Sequence, residues 1–78
     1  MREKKQWLIV TFYTTSAAMA AEKACREESI PGKIIPVPRE ITADCGLGWR
    51  TETENRARLE ALLTALALEV EGYHVCLL

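Results

Sequence analysis

The sequence predicts an α+β domain of order β-α-β-β-α-β, and three observations carry that prediction. Trp7 to Tyr13 is a run of β-branched and aromatic residues with apolar side chains on both parities, as in a strand inside a sheet. Leu59, Leu62, Leu63, Leu66 and Val70 recur at intervals of three and four, the stripe of a helix buried along one side. Between them, Pro31-Gly32 turns the chain into a short apolar stretch broken by Pro36 and Pro38. A strand that lacks those N–H donors must lie at a sheet edge or be irregular.

Taken in order, the first strand is Trp7–Tyr13, with Leu8, Val10 and Phe12 on one side and Trp7, Ile9, Thr11 and Tyr13 on the other. Thr14, Thr15 and Ser16 offer hydroxyl caps to an Ala-rich helix ending near Glu28, whose inward stripe is Ala18, Ala21 and Cys25. Small side chains on that stripe let the helix lie close to a sheet. Lys33 to Pro38 is the second strand, residues 39–44 a loop, and Cys45-Gly46-Leu47-Gly48 leads into a third strand over Trp49–Glu52. The second helix runs from Thr53 or Asn55 to Glu69, with Arg56 and Glu60 spaced for an i,i+4 contact. Gly72 is expected to end it, and Tyr73 to Leu78 forms the last strand. This order is the ferredoxin-like arrangement, a four-stranded antiparallel sheet with two helices on one face. The opposite face is expected to stand open, and a homodimer through it is one way to cover it.

Length and composition narrow the function. A chain of 78 residues holds a single domain, residues 1–78, because typical domains run to about 100–150 residues. Ten Lys+Arg against eleven Asp+Glu give a net charge of -1 with the signs interleaved, so nucleic acid is not an expected ligand. The stretch between Lys5 and Glu22 holds Thr and Ser at its middle, and a span of about 20 apolar residues is missing. Three cysteines without CxxC or Cys/His metal spacing argue against a disulfide framework and a structural zinc site. No cofactor or metal is expected, and a reducing, cytoplasmic compartment fits.

The strand directions bring three segments to one end of the sheet: Thr14 to Ser16, Arg39 to Gly48, and Tyr73-His74. A helix N-terminus presents N–H groups and a positive dipole end, which stabilise a nearby thiolate. Gly46 and Gly48 allow the backbone to turn further amides inward. Cys45 is therefore the candidate nucleophile, with Arg39 or Arg50 as a cation and Thr15, Ser16 and His74 as supporting groups. Local features leave open the blander reading of Cys45 as a small buried hydrophobe. Cys25 and Cys76 read as packing residues, and a lone histidine such as His74 is more often a packing residue than a base.

From Ile30 to Leu47 the chain carries an Ile-Pro at the end of a helix, then Ile35-Pro36-Val37-Pro38-Arg39, then Ile41 and a short run to Cys45-Gly46. This pattern resembles the selenium/sulfur carrier-like family of small bacterial proteins. Phe12, the hydroxyl residues after it and Ala21-Glu22-Lys23 extend the resemblance over most of residues 7–52. The resemblance implies that Cys45 is the carrier residue, Gly46 its fixed neighbour, and Pro38 and Arg39 parts of the same site. The expected function is that of a carrier, not a stand-alone enzyme. Cys45 would hold sulfur or selenium as a persulfide or selenosulfide between a donor and an acceptor protein. The alternative is a small-molecule-binding or regulatory module without covalent chemistry, and a thiol enzyme or metal site using Cys45 with His74 ranks behind both.

Overall fold

The computed structural model describes residues 5–37 and 46–77. Its elements follow the expected order: β1 (Gln6–Phe12), α1 (Thr15–Glu27), β2 (Lys33–Pro36), β3 (Leu47–Glu52), a 3-10 turn (Thr53–Asn55), α2 (Arg56–Ala65) and β4 (Val70–Leu77). The strands form one antiparallel sheet in the order β2-β3-β1-β4, which is the ferredoxin-like topology. β1, the most apolar strand, lies inside the sheet between β3 and β4. β2, which ends at Pro36, takes an edge, where a missing N–H costs no ladder bond.

The alternation in β1 sorts the two faces. Leu8, Val10 and Phe12 join Trp49 of β3 in a core with Ala18, Ala21 and Cys25 of α1 and Leu59 and Leu63 of α2. The alanines bring α1 down onto the sheet, so the bulk of Phe12 and Trp49 fills the space between layers. Thr51 is the polar exception on this face: its Oγ1 donates to the Pro31 carbonyl at 2.6 Å and accepts from Asn55 Nδ2 at 3.0 Å. One buried hydroxyl thereby pins both the turn into β2 and the turn into α2.

The helix-free face is less open than the alternation implies. Ile9 and Thr11 are wholly buried there, while Trp7 is half-buried and Tyr13 exposed. Part of the cover comes from neighbouring side chains. A Cβ on Gly48 would lie 2.9 Å from Ile9 Cγ2 and 3.4 Å from Val37 Cγ2, so these two residues occupy the space above the glycine. Thr11 is flanked by His74, and the Trp7 ring carries the Arg50 guanidinium at 4.2 Å and Lys5 Nζ at 4.8 Å from its centroid.

Two expectations about the C-terminal part are corrected. α2 stops at Ala65 instead of Glu69, and Gly72 lies within β4, opposite Thr11, instead of ending the helix. The physical reason is a Schellman closure built without glycine. Ala67 adopts φ 55°, its N–H donates to Thr64 O at 3.0 Å, and the Leu68 N–H reaches back to Leu63 O at 3.1 Å. α1 closes in the same way, with Ser29 at φ 59° and the Ile30 N–H donating to Cys25 O at 2.8 Å. The early stop of α2 leaves Leu66 half exposed and moves Val70 from the helix stripe into the strand. Arg58, in the first turn of α2, ties that helix to the end of α1 by donating from Nη2 to Glu28 O at 2.9 Å, and Arg56 pairs with Glu60 at 2.6 Å as the i,i+4 spacing predicts.

Candidate functional site

β1 runs toward the start of α1, and its residue Thr11 pairs with Gly48 of β3 on one side and Gly72 of β4 on the other. The leading ends of α1, β3 and β4 therefore gather at one end of the sheet, as the strand directions require. The chain leaves β2 and enters β3 at that same end, and the opening is drawn shut at its base. There the Val37 N–H donates to Gly46 O at 3.0 Å, with Gly46 at φ 73°. This is a left-handed conformation that favours glycine. Pro38, Arg39 and Cys45 lie outside the described residues, between these two tied ends.

Of the three hydroxyl residues that precede α1, Thr14 is the cap. Its Oγ1 accepts from the Ala17 N–H at 3.1 Å, and its carbonyl accepts from the Ala18 N–H at 3.2 Å. Thr15 and Ser16 are exposed residues of the first turn, whose own N–H groups precede any intrahelical acceptor. There is no acidic side chain in that turn, so the positive end of the helix dipole is not offset by a carboxylate of its own.

His74 projects from β4 opposite Ile9, and its Nε2 lies 3.3 Å from Thr11 Oγ1. The Thr11 hydroxyl also donates to Gly72 O at 3.3 Å, which leaves its oxygen to accept the Nε2–H of the imidazole. The ring is further confined by Gly72, where a Cβ would come within 3.0 Å of Nε2. In this arrangement His74 packs on the sheet face against Thr11.

The two described cysteines differ. Cys25 sits on the inward stripe of α1 with no exposed surface, and burial pushes its thiol up to about 11. Desolvation disfavours the thiolate, so this sulfur is a core group. Cys76 is half-buried in β4, opposite Trp7. Among the described residues there is no group of three or more His, Cys, Asp or Glu placed to hold a metal ion. No helix among them is long and apolar enough to cross a membrane.

Sequence reasoning missed the other end of the sheet. A groove of about 430 Å³ lies between α1 and β2, lined by Glu22, Arg26, Ile30, Gly32 and Lys33 with Trp49 among its walls. A second hollow of about 260 Å³ lies beyond the Pro31–Lys33 turn, lined by Trp7, Lys33, Arg50 and Glu52. The signal available in the sequence was the pair of strand tryptophans with a cation close to each, Lys5 two residues before Trp7 and Arg50 directly after Trp49. Its meaning depends on the β2–β3 register, which no single segment reveals.

A model of the family described as "Putative Se/S carrier protein-like" matches residues 7–75. That span begins in β1, ends in β4 and contains the Cys45-Gly46 pair. No curated protein and no solved structure matches the chain.

Proposed function

The chain belongs to this Se/S carrier protein-like family, and from that premise we propose that Cys45 is the atom-carrying residue. The observation that carries the reading is the family match across residues 7–75, which encloses Cys45 and its neighbour Gly46. Two features of the fold support it. The connection that bears Cys45 springs from the sheet end where α1 begins, and a thiolate near a helix N-terminus is stabilised by amides and dipole. Cys25 is sealed in the core with a raised thiol pKa, so it does not compete for the cargo.

The transfer is a thiolate exchange at sulfur. The Cys45 thiolate attacks the outer sulfur of a donor persulfide, the new bond to Cys45 Sγ forms, and the donor's own S–S bond breaks with the electron pair leaving on the donor thiolate. The carrier is then a persulfide, and an acceptor nucleophile attacking the same outer sulfur returns Cys45 to its thiolate. A donor holding selenium in place of the outer sulfur gives the corresponding selenosulfide by the same step. Arg39 and the first-turn amides of Thr15 and Ser16 are the groups we assign to holding the anionic sulfur, with Pro38 stiffening the connection. His74, engaged with Thr11, serves packing in this reading. Donor and acceptor are proteins, and the reducing cytoplasm is the compartment in which such a thiol stays available.

The test is mass spectrometry after incubation with a cysteine desulfurase and cysteine. The peptide containing Cys45 gains one sulfur atom, the Cys45→Ser variant gains none, and the Cys25→Ala variant behaves as the parent does. An unmodified mass for the parent protein, with the desulfurase shown to be active on a second acceptor, removes the proposal.

A further inference from the structure

Lys33 of β2 and Arg50 of β3 are Cα partners in the antiparallel ladder, and both belong to the helix-free face. Like charges set directly opposite each other on one face of a sheet repel. Among the described residues neither cation is within ion-pair range of a carboxylate. Glu52, the acid lining the same hollow, is taken up by Lys5 at 2.9 Å. A second observation comes from Arg50 itself: its Nε is closed off from solvent and has no hydrogen-bond partner among the described residues, so the Nη edge of the guanidinium is what is left to meet a ligand. A buried, charged donor without an acceptor bears its desolvation uncompensated. The guanidinium is meanwhile held against the Trp7 ring, 4.2 Å from the centroid, so its orientation is fixed before any ligand arrives.

We propose that Lys33 and Arg50, above Trp7 in the hollow of about 260 Å³, form a binding site for a small doubly charged oxyanion of the phosphate or sulfate type. Such a ligand accepts from the Lys33 ammonium and the Nη groups of Arg50, and it supplies the negative charge that relieves the cross-strand repulsion. The hollow is below the size of a typical organic-ligand pocket, about 300–1,000 Å³, and suits a compact anion. Arg50 is four residues beyond Gly46 along β3, so the site sits roughly 13 Å from the base of the Cys45 connection at about 3.3 Å per residue. It stands independently of the carrier reading.

The experiment is a titration of the full chain with inorganic phosphate at constant ionic strength, chloride being the balancing anion, read by tryptophan emission and by thermal melting. A saturable change in emission with a rise in melting temperature is expected. Lys33→Gln weakens the apparent affinity about tenfold, as loss of one charge-assisted contact does, and Arg50→Gln abolishes it. Lys23→Gln, the same charge change on the exposed surface of α1, leaves the affinity within about twofold, since a screened charge elsewhere contributes little. In phosphate-free buffer Lys33→Gln melts at or above the parent temperature, because the repulsion across the ladder is gone. Should Arg50→Gln not fold, the exposed Lys33 carries the comparison. The proposal is overturned by the absence of a saturable response in the parent. An equal loss in Lys33→Gln and Lys23→Gln overturns it too, as does a response to a hexaglutamate peptide with none to phosphate.

Discussion

Four glycines serve this chain in different ways, and the differences can be measured. Gly32 is the most constrained: a Cβ there would lie 2.5 Å from the Arg50 carbonyl oxygen and 2.6 Å from Trp49 Cζ2, at φ 156°. Gly48 is crowded on one side by Ile9 Cγ2 at 2.9 Å and Val10 O at 3.2 Å, whereas Gly46 has open space and only its φ of 73° at stake. In urea denaturation, Gly32→Ala is expected to cost about 3 kcal/mol and Gly48→Ala about 1–2 kcal/mol, the range of overpacking a rigid interior. Gly46→Ala costs about 1 kcal/mol, the penalty of a left-handed alanine. A reversed order of Gly32 and Gly46 would mean that the Pro31–Gly32 turn relaxes freely, against the geometry. The cysteines give a second residue-scale prediction. Under native conditions at neutral pH iodoacetamide modifies Cys45 and spares Cys25, whose thiol is both inaccessible and protonated. Modification of Cys25 at the rate of a free thiol would show that the core opens locally.

Elements of this fold were legible in the sequence wherever a pattern was local. β1, α1 and the inward stripe of α2 follow from side-chain spacing, and the edge position of β2 follows from Pro36. The end of α2 was not legible, because Ala67 holds the left-handed position in which glycine is the usual signal, and Gly72 downstream drew the boundary toward itself. The buried state of Ile9 and Thr11 was hidden for another reason: it depends on Val37, just past the end of β2, and on His74 of β4 arriving from elsewhere in the chain. As for the candidate site, the gathering of α1, β3 and β4 at one sheet end follows from topology, whereas the cation pair over Trp7 requires the ladder register. The two helix closures predict a gain. Ser29→Gly and Ala67→Gly each remove a left-handed residue that bears a Cβ, so each should raise unfolding stability by about 0.5–1 kcal/mol. The double variant should be additive, since the two turns close different helices. Loss of stability in either variant would mean that the methyl or hydroxyl makes a contact worth more than the strain it imposes.

At the scale of the molecule, a chain of 78 residues buries few groups, so the titration of each bears visibly on the stability of the whole. Among the described residues, two acids that titrate in the alkaline range have raised pKa values in the folded state. Burial lifts Cys25 from its ordinary 9.0 to about 11, and burial, helped by Glu60 and opposed by Arg56, lifts Tyr73 above its ordinary 10.0. Both groups are neutral when protonated, and the fold favours that form. Their contribution is therefore fully present below the unfolded-state pKa and is lost as pH rises through the folded value. The melting temperature should stay level from pH 7 to about 8.5, then fall steadily between about 9 and 11 as the unfolded chain gives up protons that the folded chain retains. Cys25→Ala separates the two contributions. It should cost about 1 kcal/mol at neutral pH through the small cavity left behind, and it should flatten the first part of the alkaline decline, leaving the later part to Tyr73. Thermal melts of parent and variant across that range decide the matter, since an unchanged slope in the variant would mean that the buried thiol is not what ties this fold to alkaline pH.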